Sequence, residues 1–561
     1  ATSDSLVHKG AGVTAGGNLT LASGTNLQVY GSKLQGGDDV RIAAGGDIKL
    51  IAAVDQQQES VRKTEENSVQ RKDEVRGYHR ESDVGALVAS GGDLHLGSAG
   101  DIQVTGSDLV ASERLQIGES LVERTGDEYK TASGDNVKNL TVDALALNNE
   151  EWVEKSRSFT GIVKAIAKVA AYTIVGVMGV GADTPAIELG SREADRVQTL
   201  SHQGSALVAN DISVNVDDDA RFVGANVSAA DTFTVNADTI QVDAVANTTS
   251  ETHVSEKETV KGLGAALDRD QVRVGGIEER KEQSSHTQVT TQWQGSQISA
   301  ANIELNADNS IQILASDVAS TGDIDLQAGN SIQVSGRQDT QTTTDSRHTE
   351  IRTTSVGVKN AYVDAAYALK AIEDARQGVN DARKALNAAE NKVAQGKVRE
   401  QDLKYYRANL AAATANLAQT GIAFVAAGAT AAATTGTAGF YATGSAERTT
   451  LDSSRTEQSA SWNGSQLLAG GNVSLNSGED IGIVGSDVAV NGKLSIDSKN
   501  VSIVAGTDAL ATTSSSDESN QSLTVSYGAQ GLSGSANAGY RNSDSDGSSL
   551  TYRNSTVSAG S

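Results

Sequence analysis

The chain of 561 residues has no cysteine, one proline (Pro185), one methionine and 4% aromatic residues. Without cysteine, disulfides and thiolate metal or iron–sulfur sites are excluded. With so few aromatics, a conventional globular core has few large anchors. Basic residues are also in deficit: 46 Lys and Arg against 71 Asp and Glu leave a net charge of -25. A nucleic-acid binder would carry a basic stripe, so no nucleic acid is expected as a partner. The opening "ATSDSLVHKG" has neither initiator methionine nor signal peptide, and the chain is expected to be a segment of a longer protein.

What the chain has in quantity is glycine, 57 residues, and a repeated phrase. "NIELNADNSIQI" at 302–313 is followed at 324–334 by "IDLQAGNSIQV". The first apolar residues of successive runs, Ile303, Ile311, Ile324 and Ile332, are 8, 13 and 8 apart, a period of 21, and Leu19, Leu27, Val40 and Ile48 keep the same steps. Within each run apolar and polar residues alternate, the pattern of a strand with one buried face. Gly, Asn, Asp and Ser separate the runs and supply turns. A third short element recurs as Gly31-Ser32-Lys33-Leu34, Gly106-Ser107-Asp108-Leu109, Ala315-Ser316-Asp317-Val318 and Gly485-Ser486-Asp487-Val488. Three short strands in about 21 residues predict an all-β fold, a right-handed parallel β-helix whose coils stack their Ile, Leu and Val in ladders.

The spacing places β-helix blocks near 13–54, 85–118, 205–243, 295–335 and 464–504 of one interrupted body. Excursions fill 55–84, 119–204, 244–294 and 336–463, and 505–561 is expected to be a terminal β-ribbon. Blocks begin alike, as in "GSALVANDISV" at 204 and "GSQLLAGGNVSL" at 464, so the chain returns at an equivalent corner. Thr-, Ser-, Gln- and Glu-rich edges such as "TQTTTDSRHTEIRTTSVGV" predict polar antiparallel ribbons projecting from one side. Trp293 and Trp462 stand just before the return, where each either covers the base of its ribbon or offers a platform for sugar stacking.

The tips differ from the ribbons. Ile372, Val379, Leu386 and Val393 recur every seven residues with Ala375, Ala382 and Ala389 between them, and the spacing resumes at Leu403, Leu410, Leu417 and Phe424. This is the seam of an antiparallel helical hairpin over 361–425. From Ala408 to Ala446 there is no charge, which makes Ile422, Phe424 and Val425 candidates for membrane contact. A second tip, 161–182, holds Ile162, Val163, Ile166, Val169, Ile174, Val175, Val177 and Met178, with Lys164 and Lys168 near its start. It is short for a dedicated span of about 20 residues. It either inserts at a membrane interface or packs on a neighbouring ribbon or hairpin.

Sites for chemistry are absent. The seven histidines are scattered without metal spacing, "VDDDARF" at 216–222 lacks the glycines of a calcium loop, and "GVMGVGADT" at 176–184 lacks the Lys-Ser/Thr of a phosphate loop. Asp47, Asp93, Asp101, Asp323 and Asp480 precede strands as turn formers, so neither an enzyme nor a cofactor is expected.

"AGGNLTLASGTNLQVYGSKLQGGDDVRIAAGGDIKL" (15–50) and "GSQLLAGGNVSLNSGEDIGIVGSDVAVNGKLSI" (464–496) resemble the filamentous haemagglutinin repeats of two-partner secretion exoproteins. The resemblance covers the five blocks and extends to the polar excursions. The interrupted repeats are most similar to the second repeat region of contact-dependent growth inhibition effectors of the CdiA type. The resemblance implies a secreted or bacterial cell-surface filament, exported through an outer-membrane β-barrel transporter. Its further partner would be a target cell's outer membrane or a surface receptor. Two functions follow from it: assisting delivery of a C-terminal toxin into a target cell, or adhesion to host or bacterial receptors.

Overall fold

The computed structural model describes residues 1–118, 121–125, 128–131, 137–159, 183–268, 271–394, 403–433, 438–528 and 531–560. The sequence alternation becomes a parallel β-helix. One wall is an 11-stranded parallel sheet whose members include Lys33–Gly36, Leu87–Ser90, Asp108–Ala111 and Gln466–Ala469. The remaining two sides of each coil form an 18-stranded sheet, because Thr232–Asp243 and Asn302–Leu314 run unbroken through the corner between them. The phrase "NIELNADNSIQI" lies in the second of these continuous strands.

Stacked side chains of like kind hold the coils together. Leu19, Val40, Leu94, Leu115, Ile212, Phe233, Ile303, Ile324, Val473 and Leu494 pair in succession, so one apolar ladder runs through the body. Ile324 meets Val473 across the whole fourth excursion as neatly as Ile303 meets Ile324 one coil earlier. Phe222 and Phe233 are fully buried and pack edge to face, their ring centroids 5.7 Å apart. At the turns, Asn and Asp carbonyl or carboxylate oxygens accept backbone N–H groups of the adjoining coil. Asn302 accepts from Asp323 at 3.1 Å, Asp323 from Asn472 at 2.6 Å, and Asn472 from Lys493 at 2.9 Å. The aspartates before strands are therefore links between coils as well as turn formers.

Leu140–Asp143 falls within the span expected to be an excursion, yet it is a wall strand. It pairs with Ile102–Thr105 on one side and Asp219–Val223 on the other. The period of 21 misses it because residues inserted after Ile117 displace it in sequence.

The ribbons also depart from expectation, since they are not separate. Ten long strands from Ala53–Glu66 to Gly531–Arg553, with Thr2–Leu6 at the edge, form one antiparallel sheet in which neighbouring ribbons pair laterally. The reason is metric. Each block contributes two strands to the 11-stranded wall, hence two coils, before the next ribbon leaves. Coils stack at the interstrand spacing of about 4.8 Å, so two coils occupy the width of a two-stranded ribbon. Ribbons leaving one corner every two coils must arrive side by side at hydrogen-bonding distance.

Candidate functional site

The corner from which the ribbons rise is built on serines, of which Ser205, Ser296 and Ser465 are buried and Ser555 is half-buried. Ser205 donates to the carbonyl of Asp143 at 2.7 Å, Ser296 to that of Asp243 at 2.8 Å, Ser465 to that of Ser335 at 2.5 Å and Ser555 to that of Val504 at 2.7 Å. In each case the serine of the returning chain bonds the residue at which the ribbon left, closing the excursion. The same hydroxyls accept N–H groups from the adjoining coil, as Ser465 does from Ser316 at 3.2 Å. The glycine before Ser205, Ser296 and Ser465 is steric: a Cβ on Gly464 would lie 2.0 Å from the carbonyl oxygen of Gly485. This is the physical content of the repeated "GS" at block starts.

Trp293 and Trp462 seal this corner. Trp462 donates from its indole to the carbonyl of Gly485 at 3.0 Å and crowds Gly485 and Gly506 so closely that neither could carry a Cβ. Trp293 donates to Gln338 O at 3.0 Å beneath the Arg337 guanidinium, whose carbon sits 5.0 Å from the ring centroid. Arg337 in turn forms an ion pair at 2.5 Å with the buried Asp243. These contacts support covering the ribbon base over sugar stacking.

Higher on the sheet, register brings the scattered histidines to acidic partners. Asp195, His253, His286 and Asp345 lie directly opposite one another on four successive strands. His253 meets Asp195 at 2.6 Å and His286 meets Asp345 at 2.7 Å, all four about half exposed. His348 pairs with Asp452 at 2.5 Å. Beside the row, Ser284, Ser453, Ser514 and Ser516 are too small to fill the surface, leaving a shallow open recess lined also by Arg347 and Arg455. Nearby, burial would raise the Glu282 carboxyl, but hydrogen bonds from Arg347 and Arg280 hold it below the ordinary glutamate range. Along the sequence the histidines are scattered, with no partner at a recognisable spacing. Their pairs depend on ribbon lengths and register, for which no local signal exists. Among the described residues no group of three or more His, Asp or Glu could hold a metal ion.

The tip of the fourth ribbon carries two helices, Ala361–Ala394 and Leu403–Ala433, packed against each other. The ascending helix buries Ala375, Val379, Ala382 and Ala389 along the heptad seam. The returning helix runs beyond the expected end at 425 because the alanine-rich sequence continues to favour helix. Over Tyr406–Ala429 it is long and apolar enough to cross a membrane, and that stretch is not buried within the protein. Of the candidate contact residues, Ile422 is 72% and Val425 70% exposed, whereas Phe424 turns half-buried toward the seam. Ile162, Val163, Ile166, Val169, Ile174, Val175, Val177 and Met178 lie outside the described residues.

The hemagglutinin repeat family matches the chain over residues 1–71, 186–350, 275–418 and 444–561. No curated protein and no solved structure matches it. The matched segments take in most of the chain, coils and ribbons alike, and the chain belongs to the hemagglutinin repeat family of adhesin-like, secreted or cell-surface exoproteins.

Proposed function

We propose that the chain is the repeat region of a bacterial surface exoprotein that engages a target cell's outer membrane and assists delivery of a C-terminal toxin in contact-dependent growth inhibition. The β-helix is the rigid mast, the ribbon sheet the arm, and the apolar helical tip the contact element. The returning helix carries this reading: Ile422 and Val425 stand exposed on a helix that carries no charge from Ala408 onward. Its partner helix contains Glu373, Asp374, Arg376, Asp381 and Arg383, each costly to place at a bilayer centre. The hairpin therefore suits lying along a lipid interface, apolar helix down, better than threading it. The outer-membrane β-barrel transporter acts earlier, in export.

The rows of His, Asp, Ser and Thr facing solvent on the ribbon sheet favour a second reading, an adhesin that displays them to a receptor on a host or bacterial cell. A contact assay separates the two. The full-length protein with Ile422→Glu and Val425→Glu is expected to reach the cell surface normally and to lose at least tenfold in target-cell killing, with cell–cell binding retained. Undiminished killing by this variant would overturn the helical-tip role. A wild-type protein that binds target cells and never kills them would establish adhesion instead.

A further inference from the structure

The outer part of the ribbon sheet reverses the usual rule of a half-buried sheet. On the strands Arg337–Asn360 and Phe440–Asn463 the covered face carries Ser355 and Thr443, both buried, with Ser355 and Ser445 joined through their hydroxyls at 2.8 Å. The open face carries the apolar residues. Val272, Val358, Ala442 and Tyr527 lie directly opposite one another on four strands, Val356, Gly444 and Val525 form the next row on that face, and Thr354, Ala446 and Leu523 the one after. Val272, Val356, Val358, Leu523, Val525 and Tyr527 are between 38% and 68% exposed. From Leu523 to Tyr527 the band spans about 14 Å along the strand. Hydrophobic side chains facing water over a polar, covered layer have no folding rationale and mark a surface that is apolar for a partner.

The row immediately nearer the body identifies the partner's chemistry. There Arg352 faces Arg448, and both donate from Nε to one carboxylate, Glu350, at 2.8 and 2.6 Å. Both guanidinium groups bond Glu350, Glu279 stands directly opposite Arg352 on the next strand, and each arginine side chain remains about half exposed, in a chain whose net charge is -25. Moving from the tip toward the body, the open face runs through valines and leucine, with Tyr527 in its outermost row, and then reaches paired arginines. This is the order met in passing from hydrocarbon to phosphate headgroups at a lipid interface. The band also adjoins the root of the helical hairpin: Ala361 N–H bonds Gly439 O at 2.8 Å at the end of the same strands. Helix rise puts Ile422 and Val425 within about 20 Å of that root.

We propose that the open face of the distal ribbon sheet is itself a lipid-docking surface, its Val, Leu and Tyr rows entering the acyl boundary while Arg352 and Arg448 meet lipid phosphates. The proposal rests on the membrane-contact reading above and locates the primary contact on the sheet, with the returning helix as an adjunct. It explains why the apolar band ends at the arginines.

Flotation of the full chain with vesicles of phosphatidylglycerol and phosphatidylcholine tests it with two variants. The sheet variant Val356→Thr/Val525→Thr/Tyr527→Thr keeps β-favouring residues in the strands and is expected to weaken vesicle binding on the order of tenfold or more. The helix variant Ile422→Gln/Val425→Gln is expected to lose less. In an independent readout, Tyr527→Trp should shift its emission to the blue on adding vesicles. If wild type binds no vesicles, the membrane-contact reading itself fails. If wild type and the sheet variant bind equally and the helix variant does not, only the sheet proposal fails. Concentration-dependent dimers that the sheet variant abolishes, with no shift of the Trp emission on vesicles, would assign the face to a second copy and overturn the lipid.

Discussion

The β-helix body and the ribbon sheet are both made of β-strands at one spacing, yet they hold together by opposite means. In the body each strand sends alternate residues into a sealed interior, and the ladder from Leu19 to Leu494 is continuous apolar contact. In the sheet, few of the described side chains are fully buried, and among the described residues Leu189, Val260 and Ile277 make one small apolar cluster. Its long strands are held by backbone pairing, hydroxyl pairs such as Ser454 with Ser515 at 2.8 Å, and surface ion pairs. Surface pairs of that kind contribute little each. The body therefore supplies stability and the sheet supplies display, with the body's coil spacing dictating where the sheet's strands stand.

The largest break in this comparison should come from the core. Phe233→Ala removes a fully buried ring packed on Phe222 and is expected to cost about 3–5 kcal/mol in urea unfolding followed by circular dichroism. Thr343→Ala, on the half-exposed sheet, should fall within about 0.5 kcal/mol of wild type. Equal losses at the two positions would mean that the sheet carries structural load after all. Next in size is the corner joining the two regions. Ser465→Ala leaves the Ser335 carbonyl and the Ser316 N–H without their buried partner and should cost about 1–3 kcal/mol. Hydrogen exchange should show the loss first in the strands flanking the fourth ribbon. The first ribbon already returns through Ala86 where the others have serine, so Ala86→Ser is the reciprocal test, with a neutral or stabilising outcome expected.

How far the sequence revealed this division follows from the range of each signal. The steps of 8 and 13 recur because every coil meets the same local geometry, so the body could be read from short windows. The "GS" starts were visible, but not the bond from Ser296 to Asp243, which closes over 53 residues. Pairing between ribbons was not legible, since the register of Asp195 with His253 depends on the lengths of strands in two different ribbons at once. The exposed band was partly legible in retrospect: "SVGV" at 355–358 and "LTVSY" at 523–527 alternate like core strands inside polar surroundings. Which face was open required the tertiary structure.

Finer effects sharpen the same contrast. Ala315 stands at φ 46°, where equivalent coils have Gly31 at 52°, Gly106 at 56° and Gly485 at 51°. Left-handed backbone is strained for a residue with a Cβ, so Ala315→Gly is expected to stabilise the body by about 0.5–1 kcal/mol. Calorimetry would show a raised unfolding temperature, and an unchanged or lowered one would mean that packing of the Ala315 methyl outweighs the strain.

The smallest effect concerns Asp143, at the corner where the second ribbon leaves the body. Burial raises its carboxyl above the ordinary value of 3.8, and Arg221 opposes the rise only in part. A raised value in the folded state means that folding binds the proton more tightly. The associated stability is complete below the ordinary value and is lost as pH rises through the folded one. Asp143→Asn cannot ionise, so its stability relative to wild type should increase from about pH 3.8 upward and level off once wild-type Asp143 is fully charged. The half-exposed Asp345 on the ribbon sheet is the control, since Asp345→Asn removes a partner of His286 without relieving a buried charge. If both variants show the same pH profile, the corner is no drier than the sheet, and the boundary between sealed body and solvated display lies deeper than Asp143.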